Sequence, residues 1–182
     1  PSGSGKSSLL MLLAGLEKSE SGSIILNGYD ITKLSEDRIT NLRKNTMGIV
    51  FQSFHLIPTI TAIDNVCIPL ELAGYPGIKN RAIEILTEVG LDNRLNHFPS
   101  QLSGGEQQRV AIARALAIKP KIILADEPTG NLDQKTGLKI IDLLFSLNKK
   151  NKSSLVIVTH SIELAEKCQR QVKLEHGKTI ES

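Results

Sequence analysis

Three short apolar runs constrain this chain more than anything else in it. They are Met47-Gly48-Ile49-Val50-Phe51, Lys121–Ala125 and Ser154–Val158. Each is too brief for a helix and too uniformly apolar for a strand with one wet face, so each reads as a strand buried on both sides. Each is followed by polar residues: Gln52, the pair Asp126-Glu127, and Thr159-His160. Helical patterns lie between and after them, at Ser35–Lys44, at Gln134–Leu147 with Leu138, Ile141, Leu144 and Phe145 on one face, and at Ile162–Cys168. Ser35, followed by acidic residues, reads as a helix cap. Buried strands joined by helices predict an α/β fold around a parallel sheet, with ligand groups gathered at the carboxyl ends of the strands.

The alternation is interrupted once. Ala62–Leu72, Ile78–Val89 and Gly104–Ile118 are three helical patterns in a row, the first two closed by Gly74 and Gly90 and the third by Pro120. They predict a helical sub-domain inserted at 53–114, with 1–52 and 115–182 forming the sheet core. Two smaller features complete the outline: a short strand at Ser23–Leu26 closed by the Asn27-Gly28 turn, and a hairpin of Gln171–Leu174 with Lys178–Glu181 around Glu175-His176-Gly177.

Composition removes several function classes. Of the 182 residues, 22 are Lys or Arg and 19 Asp or Glu, a net charge of +3 spread along the chain. That balance, with four Phe, two Tyr and no Trp, supplies neither the basic stripe nor the stacking aromatics of a nucleic-acid binder. No apolar run is long enough to span a bilayer. Cys67 and Cys168 have no metal or disulfide spacing, which fits a reducing compartment.

The chain opens on Pro1-Ser2-Gly3-Ser4-Gly5-Lys6-Ser7-Ser8, the last seven positions of the phosphate loop G-x-x-x-x-G-K-[ST] and one residue beyond. Gly3 and Gly5 allow a tight turn in which successive N–H groups face an anion. With Ser2 and Ser4 they would wrap the phosphates, Lys6 would reach the β- and γ-phosphates, and Ser7 would offer its hydroxyl to Mg²⁺. Leu9–Ala14 reads as a buried helix whose N-terminal dipole favours the same anion. The loop's opening Gly would stand one residue before Pro1, so the chain is expected to be a piece of a longer protein, with its first core strand outside these residues.

Leu102-Ser103-Gly104-Gly105-Glu106-Gln107-Gln108-Arg109 makes a second anion-binding surface: a hydroxyl and two side-chain-free amides opening a helix. On this string, with the phosphate loop upstream, the sequence resembles the ATP-binding cassette (ABC) ATPases, whose signature reads LSGGQ or LSGGE, and it does so along its whole length. The resemblance implies a P-loop NTPase with a RecA-like parallel sheet. Ile122-Ile123-Leu124-Ala125-Asp126-Glu127 resembles the Walker B strand, which implies that Asp126 holds Mg²⁺ and that Glu127 is the general base. Gln52 resembles the Q-loop residue that touches Mg²⁺ and water, and His160 the switch histidine at the γ-phosphate. Asn131-Leu132-Asp133 resembles the D-loop that crosses to a partner subunit, and Asp133 can equally cap the helix behind it. Ser8 stands where many relatives carry Thr. The aromatic residue that stacks on adenine in this family precedes the phosphate loop, and Tyr29 and Tyr75 are not placed for it.

The resemblance also implies a homodimer in which Lys6 and Ser7 of one copy and Ser103, Gly104 and Gly105 of the other clasp each ATP, together driving a transmembrane permease from the cytoplasmic face of the inner membrane. Phe51–Pro58, Thr61–Val66 with Pro69-Leu70, and the string Asp126-Glu127-Pro128-Thr129-Gly130-Asn131-Leu132-Asp133 resemble the bacterial LolD, MacB, FtsE and YbbA group. That group implies outward export, lipoprotein release or mechanotransmission. An alternative is an FtsE-like regulator of cell-wall enzymes. A soluble DNA-repair ABC ATPase is disfavoured, because too few residues lie between Lys6 and Ser103 for a coiled coil and none carry heptads.

Overall fold

The structure is a computed structural model and describes residues 5–175 and 177–181. Its centre is a parallel sheet of β3 (Met47–Val50), β4 (Ile122–Asp126) and β5 (Ser154–Val158), in the order β3-β4-β5. On β4 the side chains alternate as the two-residue period requires. Ile123 and Ala125 join one buried cluster, Leu124 the other. Two faces, two cores: this is why β4 carries no polar residue before Asp126.

The larger core unites α3 (Ala62–Leu72), α4 (Ile78–Glu88), α5 (Gly104–Leu116) and α6 (Gln134–Asn151) with one sheet face. The smaller takes Leu10 of α1 (Lys6–Leu13), Ala14, Leu26, Ile31 and Met47 on the other. A long hydrophobic surface thus runs from the sheet into the three consecutive helices without a break.

Local chemistry fixes the element ends. Strands β1 (Ile25–Leu26) and β2 (Tyr29–Asp30) pair antiparallel around Asn27 and Gly28, both at positive φ, the turn geometry that Asn-Gly favours. Helix α2 (Glu36–Thr46) follows Ser35, which takes the extended conformation of a cap but makes no side-chain capping bond. Thr61 and Asp64 form a capping box at the start of α3. Helix α7 (Ile162–Glu166) is capped by Ser161, and β6 (Val172–Glu175) pairs antiparallel with β7 (Lys178–Glu181).

Three expectations are corrected. Leu138 does not share the buried face of α6: it is exposed, while Ile140, Ile141, Leu144 and Leu147 are buried. Strand β5 is not buried on both faces among the described residues, since Val156 is 38% exposed. In α1, Leu10 is buried, whereas Leu9, Met11, Leu12 and Leu13 are only partly covered.

Candidate functional site

The carboxyl ends of β4 and β5 stand side by side, because the ladder pairs Asp126 with Val158. Everything polar that follows either strand is therefore delivered to one rim. Ser7, on the first turn of α1, donates its hydroxyl to Asp126 Oδ1 at 3.1 Å. Gly5 is the residue before the helix, at φ 87, where any side chain would be strained. Lys6 opens the helix and Ser8 is exposed beside Ser7. Ser2, Gly3 and Ser4 lie outside the described residues.

Among the described residues no three His, Cys, Asp or Glu side chains gather as a metal cluster. The Ser7 hydroxyl and the Asp126 carboxylate are nonetheless a hard-oxygen pair of the kind Mg²⁺ takes, since that ion keeps several waters and completes its shell with phosphate oxygens. The residues present fit the ion.

Glu127 leaves the strand with its backbone in the left-handed region, φ 43. The turn is held by Glu127 N donating to Val158 O and Gly130 N donating to Glu127 O, each at 2.9 Å. Its carboxylate meets the end of β5: His160 Nδ1 lies 2.7 Å from Oε1, and Thr159 Oγ1 donates to Oε2 at 3.2 Å. The structure thus brings Ser7, Asp126, Glu127 and His160 together at one rim.

Gln52 takes a different position. Its Nε2 donates to Asn131 Oδ1 at 3.2 Å, and Asn131 Nδ2 donates back to Gln52 O at 3.1 Å. A Cβ on Gly130 would sit 2.6 Å from that Nε2, so any side chain there would push the Gln52 amide aside. This pair engages Nε2 and the backbone oxygen of Gln52, not Oε1, the side-chain atom a cation would take.

The Ser103-Gly104-Gly105 segment opens α5. Ser103 Oγ donates to Glu106 Oε2 at 2.7 Å and accepts from Glu106 N, a capping box braced by Arg94 Nε on Glu106 Oε1 at 3.1 Å. Hydrogen bonds from the Ser103 side chain and amide, with Arg94 beyond, hold the Glu106 carboxyl below its ordinary value. The segment packs on the start of α6: a Cβ on Gly105 would fall 2.7 Å from Thr136 Cγ2, and one on Gly104 3.3 Å from Leu132 Cδ2. Asp133 is the N-cap of α6, its Oδ1 accepting from Thr136 N at 3.0 Å, and hydrogen bonds from the Thr136 side chain and amide lower its carboxyl. The capping role of Asp133 is thus formed within this chain.

Arg114 and Asn65, without a role in the sequence reading, hold the stretch after Gln52. Arg114 donates to His55 O at 2.6 Å and Phe54 O at 2.8 Å, stapling two consecutive left-handed residues at φ 48 and 59. Buried Asn65 accepts from Ile57 N and donates to Ile57 O, Ile60 O and Thr61 O. Gln108, fully buried, donates to Pro128 O at 2.6 Å. For Arg114 the signal is a charged residue between Ala113 and Ala115 in an apolar helix; Gln108, flanked by Gln107 and Arg109, carries no such signal.

The profile of the family described as ABC transporter matches residues 1–130. The uncharacterized ABC transporter ATP-binding protein YbbA of Escherichia coli (strain K12) is 50% identical over 182 residues, covering 99% of this chain and 80% of YbbA. The lipoprotein-releasing system ATP-binding protein LolD of Legionella pneumophila (strain Paris) is 52% identical over 179 residues, covering 97% of this chain and 79% of LolD. Among solved structures, the dimeric post-hydrolysis state of the ATP-binding cassette MJ0796 bound to ADP and Pi superposes with a TM-score of 0.89 at 43% identity, covering 100% of this chain and 82% of that one. Another dimeric structure of MJ0796, a bacterial ABC transporter cassette, gives 0.89 at 45% identity. Identity near one half, sustained from end to end and accompanied by the same fold, leaves one assignment: the chain belongs to the ABC transporter family, as an ATP-binding subunit of the P-loop NTPase fold.

Proposed function

We propose that this chain is the ATP-hydrolysing half-engine of a membrane permease of the lipoprotein-release, export or mechanotransmission kind, acting as a homodimer on the cytoplasmic side of the membrane. Among the described residues no helix is long and apolar enough to cross a membrane, so attachment would come through the permease. Residues 53–114 are the helical sub-domain in this reading, and 1–52 with 115–182 the nucleotide-binding core.

The observation that carries the reading is the Ser7–Asp126 pair with Glu127 beside it, its carboxylate turned toward His160. Ser2 to Ser8 would wrap the phosphates of ATP, with Lys6 on the β- and γ-phosphates. Ser7, Asp126 and the Oε1 of Gln52 would hold Mg²⁺, which draws charge from the phosphate oxygens when bound. Glu127 takes the proton of the attacking water and His160 faces the γ-phosphate. Ser103, Gly104 and Gly105 of the second copy would close the site with bare helix-start amides, and Asp133 would sit at the crossing. Binding of ATP favours the closed dimer, and loss of the γ-phosphate lets it open.

A groove of about 360 Å³ borders this machinery, lined by Phe51, His55, Ile68, Pro69, Leu72 and Arg114 among others. Leu72 is 65% exposed. The groove begins where the Gln52 segment leaves the site, and we place the permease's docking helix there.

The test is Glu127→Gln in the full-length protein. Hydrolysis should fall by at least about a hundredfold, the size expected for removing a general base, while saturating ATP should now trap a dimer seen by light scattering. A variant that stays monomeric in ATP defeats the two-copy site.

A further inference from the structure

Among the described residues two groups grip the Glu127 carboxylate, and only one of them has an assigned role. We infer that Thr159 is the positioning residue for this carboxylate during hydrolysis, fixing Oε2 so that Oε1 is presented to water. The inference rests on Glu127 being the base.

The Thr159 hydroxyl has one proton and two lone pairs. Ser161 N donates to Thr159 Oγ1 at 3.0 Å, which occupies one lone pair and points the proton away from that amide. The partner in reach is Glu127 Oε2 at 3.2 Å. The hydroxyl is thus oriented by backbone before it meets the carboxylate, and a group oriented in advance holds its partner at little entropic cost. Thr159 is half-buried. The His160 side chain, by contrast, is 68% exposed.

This asymmetry divides the labour. His160 contacts Oε1, the oxygen that must be free to accept a proton from water. A histidine that turns to the γ-phosphate releases that oxygen. Thr159 cannot follow, because Ser161 N keeps it in place, so the carboxylate remains tethered through Oε2 alone. Among the described residues the backbone gives no other restraint on the side chain: the bonds of Glu127 N and O fix the left-handed turn, not the carboxylate. Without the Thr159 hydroxyl the Glu127 side chain would be free to rotate just when its aim matters.

The test compares Thr159→Val, which keeps the shape and removes the hydroxyl, with Thr159→Ser, which keeps the hydroxyl, in the full-length protein. Valine should lower kcat about 10- to 100-fold, the loss expected when a reacting group is misaimed. Its KM and ATP affinity should stay within about twofold, since the hydroxyl touches no part of the nucleotide in this reading. Serine should restore kcat to within about threefold. Thr159→Ala should match valine, and it decides the matter if valine does not fold. In the Glu127→Gln background neither substitution should lower the residual rate further. Serine as poor as valine, a KM that rises together with the ATP dissociation constant, or full kcat in valine would each overturn the inference. Full activity in Glu127→Gln would instead remove the base assignment itself, so the two failures are separable.

Discussion

Glu106 shows how much one side chain in the Ser103 segment does before any nucleotide arrives. Its carboxylate closes the capping box of α5 and receives Arg94, so the helix start that offers bare amides is also the one that is tied down. Because these bonds hold its folded-state carboxyl below the ordinary value, Glu106 adds stability above the ordinary carboxylate range. That contribution disappears as the pH falls through and below that range. Glu106→Gln keeps the shape of the box and removes the charge. It should lower the unfolding free energy near neutral pH by under about 1 kcal/mol, as solvent screening dictates, with the gap to wild type closing in acid. Chemical unfolding measured across that pH range checks this, and a gap independent of pH contradicts it. The sequence showed Ser103 and its glycines but not this reason for the acid, because a capping box and a signature string use the same letters.

Elements whose limits follow from their own chemistry were legible; those limited by neighbours were not. Ala62–Leu72 and Ser154–Val158 run as their patterns predict. The first is started by its capping box, and the second is a β-branched run flanked by polar residues. Helix α6 continues to Asn151, past Leu147, and stops where Lys152 turns left-handed, a stop no glycine announces. Helix α5 ends at Leu116, short of Ile118, where Lys119 turns left-handed before Pro120, and α4 supplies donors to its last carbonyls. Arg81, only 6% exposed, gives its Nε to Ala117 O at 2.9 Å and an NH2 proton to Leu116 O at 3.4 Å, with Glu84 at 2.9 Å balancing the charge. Nothing in the local sequence signals a contact 36 residues away. Arg81→Met takes the guanidinium donor from Ala117 O, while Leu116 O keeps the amide of Lys119 at 3.0 Å. We expect a loss of about 1–3 kcal/mol, the cost of stranding a buried acceptor, read from urea unfolding midpoints. A change within about 0.5 kcal/mol, typical of surface positions, would show that water replaces the guanidinium there.

At the scale of the molecule the carboxyl ends of the strands serve two ends at once, and a single stretch of chain joins them. From Gln52 to Thr61 the backbone lacks regular structure, yet it is fastened at three points: by Asn131 from the loop before α6, by Arg114 from α5 and by Asn65 from α3. One of these fastenings therefore reports on the nucleotide rim and the other two on the helices that flank the apolar groove. The strand-end residues were legible because their order along the sheet is written in the sequence. The fastening was not, since it joins residues 59 and 79 positions apart. Arg114 is the critical point. Two left-handed residues in succession carry about 1–3 kcal/mol of strain each, and its fork holds both carbonyls. Lysine has one donor head and cannot span them, whatever its charge. In Arg114→Lys the groove-side turn should relax while Ser7, Asp126 and Glu127 stay in place. Basal hydrolysis by the full-length protein should then remain within about twofold. The extra rate gained on adding the permease should drop about fivefold, the equivalent of one lost hydrogen bond of about 1 kcal/mol. Paired assays with and without permease in vesicles distinguish the cases. Equal loss in both would place Arg114 in the hydrolytic machinery, and no loss in either would move the docking surface away from this groove.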